Sequence, residues 1–343
     1  MMGHNAIGQA PKAADLWVAA AVAVLFATVP LWADKGTLYL ASVVMINAVF
    51  ALSFNMVFGL AGLVSFGHAA FFAAGAYTTG LLLQRFADLP FFVSWLAAGV
   101  IAGGVAFVVA TVALRRASGI YFAILTLALA ELVHMMIAKS TLLGREDGLT
   151  GIKRPVVNMG LFNVDLAAGN NLYYLTLICC LLLGAILYLL WHNWIGRLLA
   201  AIRQDSDRVR FLGVNVNAWR FGVFVASGVL SGLAGGLYAP AAQLLTPEIG
   251  HWTHSALPIL FCLVGGVSYF WGPVVGAVLF IGLEHMTRNV VGLSEMIIGS
   301  TLLVVVLLFP GGLIGGLKRL RDAMYAGARP ETVGAEKPQR STS

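Results

Sequence analysis

Apolar segments long enough to cross a lipid bilayer follow one another along almost the whole chain. A helix crosses the roughly 30 Å of hydrocarbon with about 20 apolar residues. We predict such helices at 16–33, 38–58, 66–84, 91–113, 119–139, 172–191, 217–239, 272–290 and 294–310. The short apolar segment 255–268 is interpreted as a tenth crossing or a re-entrant segment, and the same two interpretations apply to the glycine-containing segment 59–67.

The balance of polar and apolar residues excludes a water-soluble globular protein. Hydrophobic residues occupy 59% of the 343 positions, charged residues occupy only 10%, and the mean hydropathy is +0.88. In a soluble protein roughly 25% of the residues are charged, and these residues keep its surface hydrated. We therefore predict an all-α polytopic membrane protein with about 8–10 transmembrane helices, some of them broken or re-entrant, embedded in the lipid bilayer.

Small residues give a second indication of membrane helices. The chain has 39 glycines, and Gly228, Gly232 and Gly236 recur at intervals of four residues. This spacing lets the backbones of two membrane helices approach closely, so we predict tight packing there. The three cysteines all lie in apolar segments without metal-ligand spacing, and we expect them to pack as small apolar residues.

Basic residues predict how the chain is oriented. With ten crossings, Lys and Arg concentrate on the face that holds both termini, and basic loops remain in the cytoplasm. Lys12 precedes the first apolar segment without a cleavage site after it, which favours an uncleaved first helix. The predicted organisation is a cytoplasmic N-terminus at 1–15, a transmembrane domain at 16–317 with a periplasmic loop at 140–171 and a cytoplasmic loop at 192–216, and a disordered cytoplasmic tail at 318–343.

The most informative loop is GRLLAAIRQDSDRVRFLGVNV at 196–216, which has the pattern of an amphipathic helix. Its predicted apolar face consists of Leu198, Leu199, Ile202, Val209 and Leu212, and its polar face of Arg203, Asp205, Asp207, Arg208 and Arg210. Such a helix is compatible with a solvated loop or with a position on the membrane surface. A helix that binds anionic lipid would have a purely basic face, so the mixed charges favour docking to a cytoplasmic protein.

This loop resembles the coupling loop of branched-chain amino-acid ABC transporter permeases of the LivM type. Further matching segments follow in the family's order: NMVFGLAGLVSFGHAAFFAAGAYTTGLL (55–82), ASGIYFAILTLALAEL (117–132), DGLTGI (147–152), FGVFVASGVLSGLAGGLYA (221–239), GGVSYFWGPVVGAVL (265–279) and LFPGGLIGGL (308–317). The resemblance implies an inner-membrane permease that imports branched-chain amino acids together with a second homologous permease, two ATP-binding subunits and a periplasmic substrate-binding protein. It also implies that the ATPase contacts Gly196, Arg197, Arg203, Asp205, Asp207, Arg208 and Gly213.

The sequence departs from that family at two places. Small residues commonly follow the acidic pair of the loop, whereas Arg208, Val209 and Arg210 follow it here. A polar residue often stands in the first glycine-rich turn, where this chain has Ala61 and Leu63. Relatives transport urea, short amides or aromatic acids, so these remain alternative substrates.

The chain lacks a phosphate-binding loop of its own. Gly311 and Gly316 have the spacing of such a loop, but Leu317 stands where the motif requires lysine. We therefore expect a non-catalytic subunit without cofactor or metal, in which partner subunits hydrolyse ATP. Nothing in the sequence indicates a nucleic-acid partner.

Two groups of polar residues within apolar segments are candidates for the translocation path. Glu131 and His134 lie one helical turn apart, so they either line the path or form a hydrogen bond between helices. Asn55, Ser65 and His68 flank the glycine-rich turn before the third segment. There a helix N-terminus either faces a substrate carboxylate, or these side chains satisfy backbone groups that the break leaves free.

Two other classes of function are compatible with parts of this pattern. An ATP-independent transporter or channel needs an ion-coupling set within the membrane, for which only Glu131 and His134 qualify. An intramembrane enzyme needs a paired catalytic set, and no such pair is recognisable in the predicted spans.

Overall fold

The computed structural model describes residues 13–86, 89–117, 119–158, 163–288, 294–309 and 311–327. The helices are α1 (Ala13–Thr28), α2 (Lys35–Asn55), α3 (His68–Arg85), α4 (Phe91–Arg116), α5 (Ile120–Lys139), α6 (Asn171–His192), α7 (Trp194–Gln204), α8 (Ser206–Phe211), α9 (Val216–Ala242), α10 (Trp252–Gly265), α11 (Gly272–Thr287), α12 (Ser294–Leu308) and α13 (Gly312–Gly327). Within these ranges, β-strands are limited to a short antiparallel hairpin of β1 (Val156–Asn158) and β2 (Asn163–Asp165), apart from one isolated bridge.

Five of the described helices are long and apolar enough to cross a membrane: α2 with its extension to Leu60, α4, α5, α6 and α9. A sixth results if α12 and α13, which are bent by 43° relative to each other, form one span. Shorter apolar helices lie at Trp17–Leu31, Trp252–Gly265 and Gly272–Thr287. The predicted all-α polytopic membrane fold is confirmed, while the orientation of the termini and the full number of crossings stay predictions.

Helix α9 forms the centre of the bundle, where it packs against α2, α3 and α4. A Cβ at Gly232 would overlap the side chain of Ala102, and a Cβ at Gly235 would overlap the carbonyl oxygen of Phe72. At Gly228 a Cβ would overlap Ala106. Glycine is therefore what lets α3 and α4 approach α9, and the close packing predicted from the glycine spacing is confirmed.

The segment between α2 and α3 is a break in the helical structure and not an additional crossing. A π-turn at Met56–Leu60 ends α2, and residues 61–67 are irregular until α3 begins at His68. Residues 266–271 form a similar non-helical turn between α10 and α11. The two turns are in contact, because Asn55 Nδ2 donates a hydrogen bond to the carbonyl oxygen of Val267 at 3.2 Å.

The loop between α5 and α6 folds back onto the end of α9. Leu149 and Leu245 exchange backbone hydrogen bonds of 2.8 and 3.0 Å, and Arg154 Nε donates to the carbonyl oxygen of Pro240 at 3.2 Å. At the other end of the chain, α13 continues to Gly327, so the predicted tail begins as a helix. The rest of the tail, 328–343, and most of the predicted N-terminal segment, 1–12, lie outside the described residues.

Replacing Gly235 with alanine tests the packing around α9. The added methyl group would meet backbone of α3, which cannot rotate away, so we expect a cost of about 1–3 kcal/mol and a lower melting temperature of the purified protein. Gly222→Ala is the matched control, because Gly222 lies on the same helix and a Cβ at this position would have no neighbour within 4 Å. Equal melting temperatures for the two variants would contradict the packing described here.

Candidate functional site

His68, the first residue of α3, lies in the packed interior with no exposed surface. Its Nε2 is 3.0 Å from Ser227 Oγ, and its Nδ1 is 3.2 Å from Ser65 Oγ. The rings of Phe54, Phe71 and Phe224 pack edge-on against the imidazole. Both ring nitrogens therefore have protein partners.

The hydrogen bonds around Ser227 determine the tautomer of His68. Ser227 Oγ donates its one proton to the carbonyl oxygen of Ser53 at 2.6 Å, so it can only accept a proton from His68 Nε2. Nδ1 of the neutral ring then accepts from the Ser65 hydroxyl. Ser53 Oγ is also 2.8 Å from Ser231 Oγ, and these contacts join α2, α3 and α9 into one buried polar network.

Two more hydroxyl groups stabilise the backbone where the chain enters α3. Thr126 Oγ1 on α5 accepts a hydrogen bond from the Phe66 backbone N–H at 3.2 Å, and Ser255 Oγ on α10 accepts one from Ala69 at 2.8 Å. The Ala69 N–H is one of the groups that the start of a helix leaves unpaired, and the Phe66 N–H belongs to the irregular segment before α3. In this conformation the contacts therefore favour a role of His68 and Ser65 in stabilising the break. They do not favour a site where the start of α3 binds a substrate carboxylate.

The break brings some of the predicted residues together and separates others. Ser65 and His68 are hydrogen-bonded, whereas Asn55 bonds to the α10–α11 turn. Ser227 and Ser255 were not among the predicted site residues, since a single hydroxyl in an apolar helix has no distinguishing pattern. Thr126 was missed for the same reason, and only the need to satisfy the broken backbone could have indicated these positions.

Glu131 and His134 form a second polar cluster, to which the structure adds His251. Glu131 Oε1 is 3.9 Å from His134 Nε2 and 3.8 Å from His251 Nε2. His134 Nδ1–H donates to the carbonyl oxygen of Pro247 at 3.0 Å, which connects α5 to the short 3-10 helix Pro247–Gly250. Glu131 Oε2 has no hydrogen-bond partner among the described residues. Within those residues no three His, Cys, Asp or Glu side chains have a metal-binding arrangement.

One face of α5 is apolar and unusually exposed. Only 28% of its apolar 18-residue stretch is buried, which is less than for any of the other four long spans. The exposed side chains Tyr121, Leu132 and Met135 recur along one side of the helix. Glu131 lies beside this face with 30% of its side chain exposed. The side chain is thus partly exposed beside this face, while its Oε2 is buried.

The predicted coupling loop consists of α7 and α8, two short helices joined at a capped corner. Asp205 Oδ1 accepts a hydrogen bond from the Arg208 backbone N–H at 3.0 Å, which caps α8. Its Oδ2 pairs with Arg208 Nε at 3.3 Å, and Asp207 Oδ1 pairs with Arg210 Nη1 at 3.1 Å. The carboxylates therefore organise the corner and remain partly exposed.

Glycines fix the two ends of this segment, while Arg197 projects from its exposed side. A Cβ at Gly196 would overlap the carbonyl oxygen of Trp191, so only glycine permits the tight turn from α6 into α7. Gly213 has a φ of +84°, a left-handed conformation that favours glycine, where the chain leaves α8 for α9.

Arg203 reaches from α7 into the break between α2 and α3. Its Nη1 donates a hydrogen bond to the carbonyl oxygen of Gly59, and its side-chain methylene groups cover Gly62. Gly62 has a φ of +71°, and a Cβ there would lie 2.8 Å from Arg203 Cγ. Desolvation at this contact lowers the pKa of Arg203, which stays charged at neutral pH. Arg203 thus connects the surface segment to the interior break.

Two large apolar side chains project from the end of α8. Phe211 is 91% exposed and Leu212 is 78% exposed. Of the predicted apolar face, Leu199, Ile202 and Val209 are buried. Leu212 is exposed, because α8 ends at Phe211 and the chain turns before the helical period reaches Leu212. Adjacent exposed apolar side chains of this kind are typical of protein contact sites.

Comparison with known proteins supplies independent information. Residues 36–309 match the model of a family described as the permease component of branched-chain amino acid transport systems. The chain is 27% identical to the high-affinity branched-chain amino acid transport permease LivM of Escherichia coli K12, over 86% of this chain and 73% of that protein. It is 22% identical to the corresponding LivH of Salmonella typhimurium LT2, over 78% and 91% of the two chains.

A more distant similarity involves a different transported molecule. Over 46% of this chain and 47% of the relative, the sequence is 27% identical to the autoinducer 2 import system permease LsrC of Yersinia pseudotuberculosis YPIII. No solved structure matches the chain.

Removing the Ser227 hydroxyl tests the buried network. Ser227→Ala leaves His68 Nε2–H without its acceptor, and we expect a loss of about 1–3 kcal/mol in the free energy of unfolding. Ser42→Ala is the control, since Ser42 is also buried but its Oγ only supplements the backbone of its own helix. Thermal unfolding of both variants distinguishes the two sites, and a Ser227→Ala protein as stable as Ser42→Ala would contradict the network.

Proposed function

Since the chain belongs to the family of branched-chain amino acid transport permease components, we propose that it is the membrane-spanning subunit of an ATP-driven importer in the bacterial inner membrane. The proposed cargo is a branched-chain, hydrophobic amino acid, after the function printed for LivM and LivH. The observation that carries the proposal is the family match over residues 36–309, which includes the whole α7–α8 segment.

The second permease of the proposed complex packs against the exposed face of α5. LivM and LivH are both similar to this chain, which supports a pair of homologous permeases. A face formed by Tyr121, Leu132 and Met135 is large and apolar enough to pack against another membrane helix. Substrate then passes between the two permeases, along the side of α5 that carries Glu131.

Separate ATP-binding subunits dock on the α7–α8 segment. Phe211 and Leu212 provide the apolar contact, and the ion pairs of Asp205 and Asp207 hold the surrounding backbone in place. ATP-driven movement of the docked subunit displaces α7. Through Arg203 and Gly59 this displacement reaches the break between α2 and α3, and through Asn55 and Val267 it reaches the α10–α11 turn. Alternating access follows from the coordinated movement of these two turns. A periplasmic binding protein delivers the substrate on the opposite face.

The choice of substrate within the family depends on groups that can bind an amino acid. The similarity to LsrC demonstrates that related permeases are named for unlike molecules. Glu131 Oε2 is buried without a partner among the described residues, and the ammonium group of an amino acid would supply the donor that it lacks. This contact favours an amino acid over urea or a short amide.

The contact of Arg203 with the break predicts an uncoupled variant. Arg203→Ala should leave ATP hydrolysis by the assembled transporter intact and reduce substrate uptake about tenfold, since a hydrogen bond to a charged group contributes roughly 1.5–3 kcal/mol. Arg85→Ala removes an exposed arginine outside the α7–α8 segment, at the end of α3, and should transport normally. Uptake and ATP hydrolysis measured in the same vesicles give the number of substrate molecules transported per ATP. If this number is unchanged in Arg203→Ala, the proposed route of coupling is ruled out.

The exposed apolar pair predicts where the ATPase binds. When Phe211 and Leu212 are both replaced with serine, most of the ATP-binding subunit should be lost during affinity purification of a tagged permease. The physical reason is that interface contacts depend on a few large apolar side chains. Phe86 is also exposed, but it follows the end of α3 that lies away from the α2–α3 break. Replacing it with serine should leave copurification of the ATP-binding subunit unchanged. Full copurification with the double variant would place the ATPase elsewhere.

The Glu131 carboxylate predicts a change in apparent affinity. Glu131→Gln retains the size of the side chain but loses the charge, so the leucine concentration for half-maximal uptake should rise about tenfold. Glu284→Gln, a change of an exposed carboxylate on α11, provides the control. If both variants transport with wild-type affinity, Glu131 contributes only to helix packing.

A further inference from the structure

A cavity of about 780 Å³ lies where the α2–α3 break meets the ends of α4, α5 and α9. Its walls are formed by apolar residues and glycines, with two polar exceptions, Asn217 and Arg220. Both lie in the first turns of α9, directly after the α7–α8 segment. The cavity therefore opens at the end of the bundle where the coupling segment is located, with a volume in the usual range of roughly 300–1,000 Å³ for small-molecule sites.

Arg220 is the charged group of this cavity, and its Nε is buried without a hydrogen-bond partner in the described part of the chain. Among the described carboxylates, none lies within ion-pair distance of its guanidinium, whereas Arg208 and Arg210 nearby are paired with aspartates. Arg210 adds a second positive charge close to Arg220. An unpaired guanidinium beside an apolar wall is suited to a ligand with one anionic end and an apolar body.

The α5 residues that line the cavity form a strip that leads to Glu131. Ile120, Ile124 and Leu127 line the cavity, and Glu131 follows Leu127 after one helical turn. The intervals of four, three and four residues place all four side chains along one side of α5. An apolar strip of α5 thus leads from the cavity that contains the Arg220 guanidinium to the Glu131 carboxylate.

We propose that this cavity is the inner substrate site of the permease, in which Arg220 binds the carboxylate of an apolar amino acid and the α5 strip contacts its side chain. This inference rests on the proposed transport function and adds the site from which substrate leaves. At Glu131 the substrate is held by its ammonium group, and at Arg220 by its carboxylate. Apolar walls in between accept an aliphatic side chain, which is the property that branched-chain amino acids share.

Direct binding without ATP tests this site. Saturation-transfer NMR on the purified Glu131→Gln permease complex, which lacks the charge of the ammonium site, measures leucine at the cavity without binding protein or nucleotide. The carboxylate analogue 4-methylpentanoate should compete with leucine, and 3-methylbutylamine, which has the ammonium group but no carboxylate, should compete at least tenfold less well. Equal competition by the amine would overturn the assignment of Arg220.

Variants of the cavity locate the binding. Arg220→Gln should weaken leucine and 4-methylpentanoate at least tenfold, Arg220→Lys should restore part of the affinity, and Arg116→Gln, an exposed arginine at the end of α4, should bind as the wild type does. Each variant is first checked for its melting temperature and for copurified ATPase. Wild-type binding by Arg220→Gln would contradict the proposal.

Two further outcomes distinguish other sources of an anion. If phosphatidylglycerol displaces 4-methylpentanoate while leucine does not, the cavity holds a lipid headgroup and the proposal fails. Competition by inorganic phosphate alone would likewise identify a simple anion site. Because none of these measurements requires ATP, a transporter that lacks ATP-driven uptake but binds leucine at Arg220 would disprove the proposed energy source and leave this site intact.

Discussion

The structure depends on one constraint, which is that backbone groups freed inside a membrane helix bundle must find partners within the protein. The break between α2 and α3 frees several such groups, and side chains from other helices satisfy them. Thr126 on α5 and Ser255 on α10 accept hydrogen bonds from the entry of α3, and His68 joins Ser65 to Ser227 on α9. A turn that would be costly in lipid thereby becomes the point where five helices meet: α2, α3, α5, α9 and α10.

The same break gives the coupling segment access to the interior. Arg203 reaches Gly59 only because Gly62 has no side chain and a left-handed backbone. Asn55 then connects the break to the α10–α11 turn at Val267. In the proposed importer, a displacement of α7 therefore acts on two non-helical turns, which deform more readily than continuous helices do.

Much of this architecture was predictable from the sequence, because the bilayer imposes the lengths and the composition of its helices. The segments predicted for α4, α5, α6 and α9 agree with the structure, and the glycine spacing correctly indicated the tight packing of α9. Contacts between residues distant in sequence were not predictable. Nothing in the pattern around Arg203 indicated Gly59 as its partner, and His251 was not recognised as a neighbour of Glu131. Helical periodicity also does not indicate where a short helix ends, so it did not show that Leu212 lies beyond the end of α8.

In the proposed importer, substrate moves only when separate ATPase subunits act on α7 and α8. The decisive measurement is leucine uptake into vesicles that contain the permease pair, the ATP-binding subunits and the periplasmic binding protein. We expect uptake with ATP and none with a proton gradient alone. Uptake driven by a proton gradient in vesicles without the ATP-binding subunits would contradict it, and would identify Glu131 with its two histidines as an ion-coupling group.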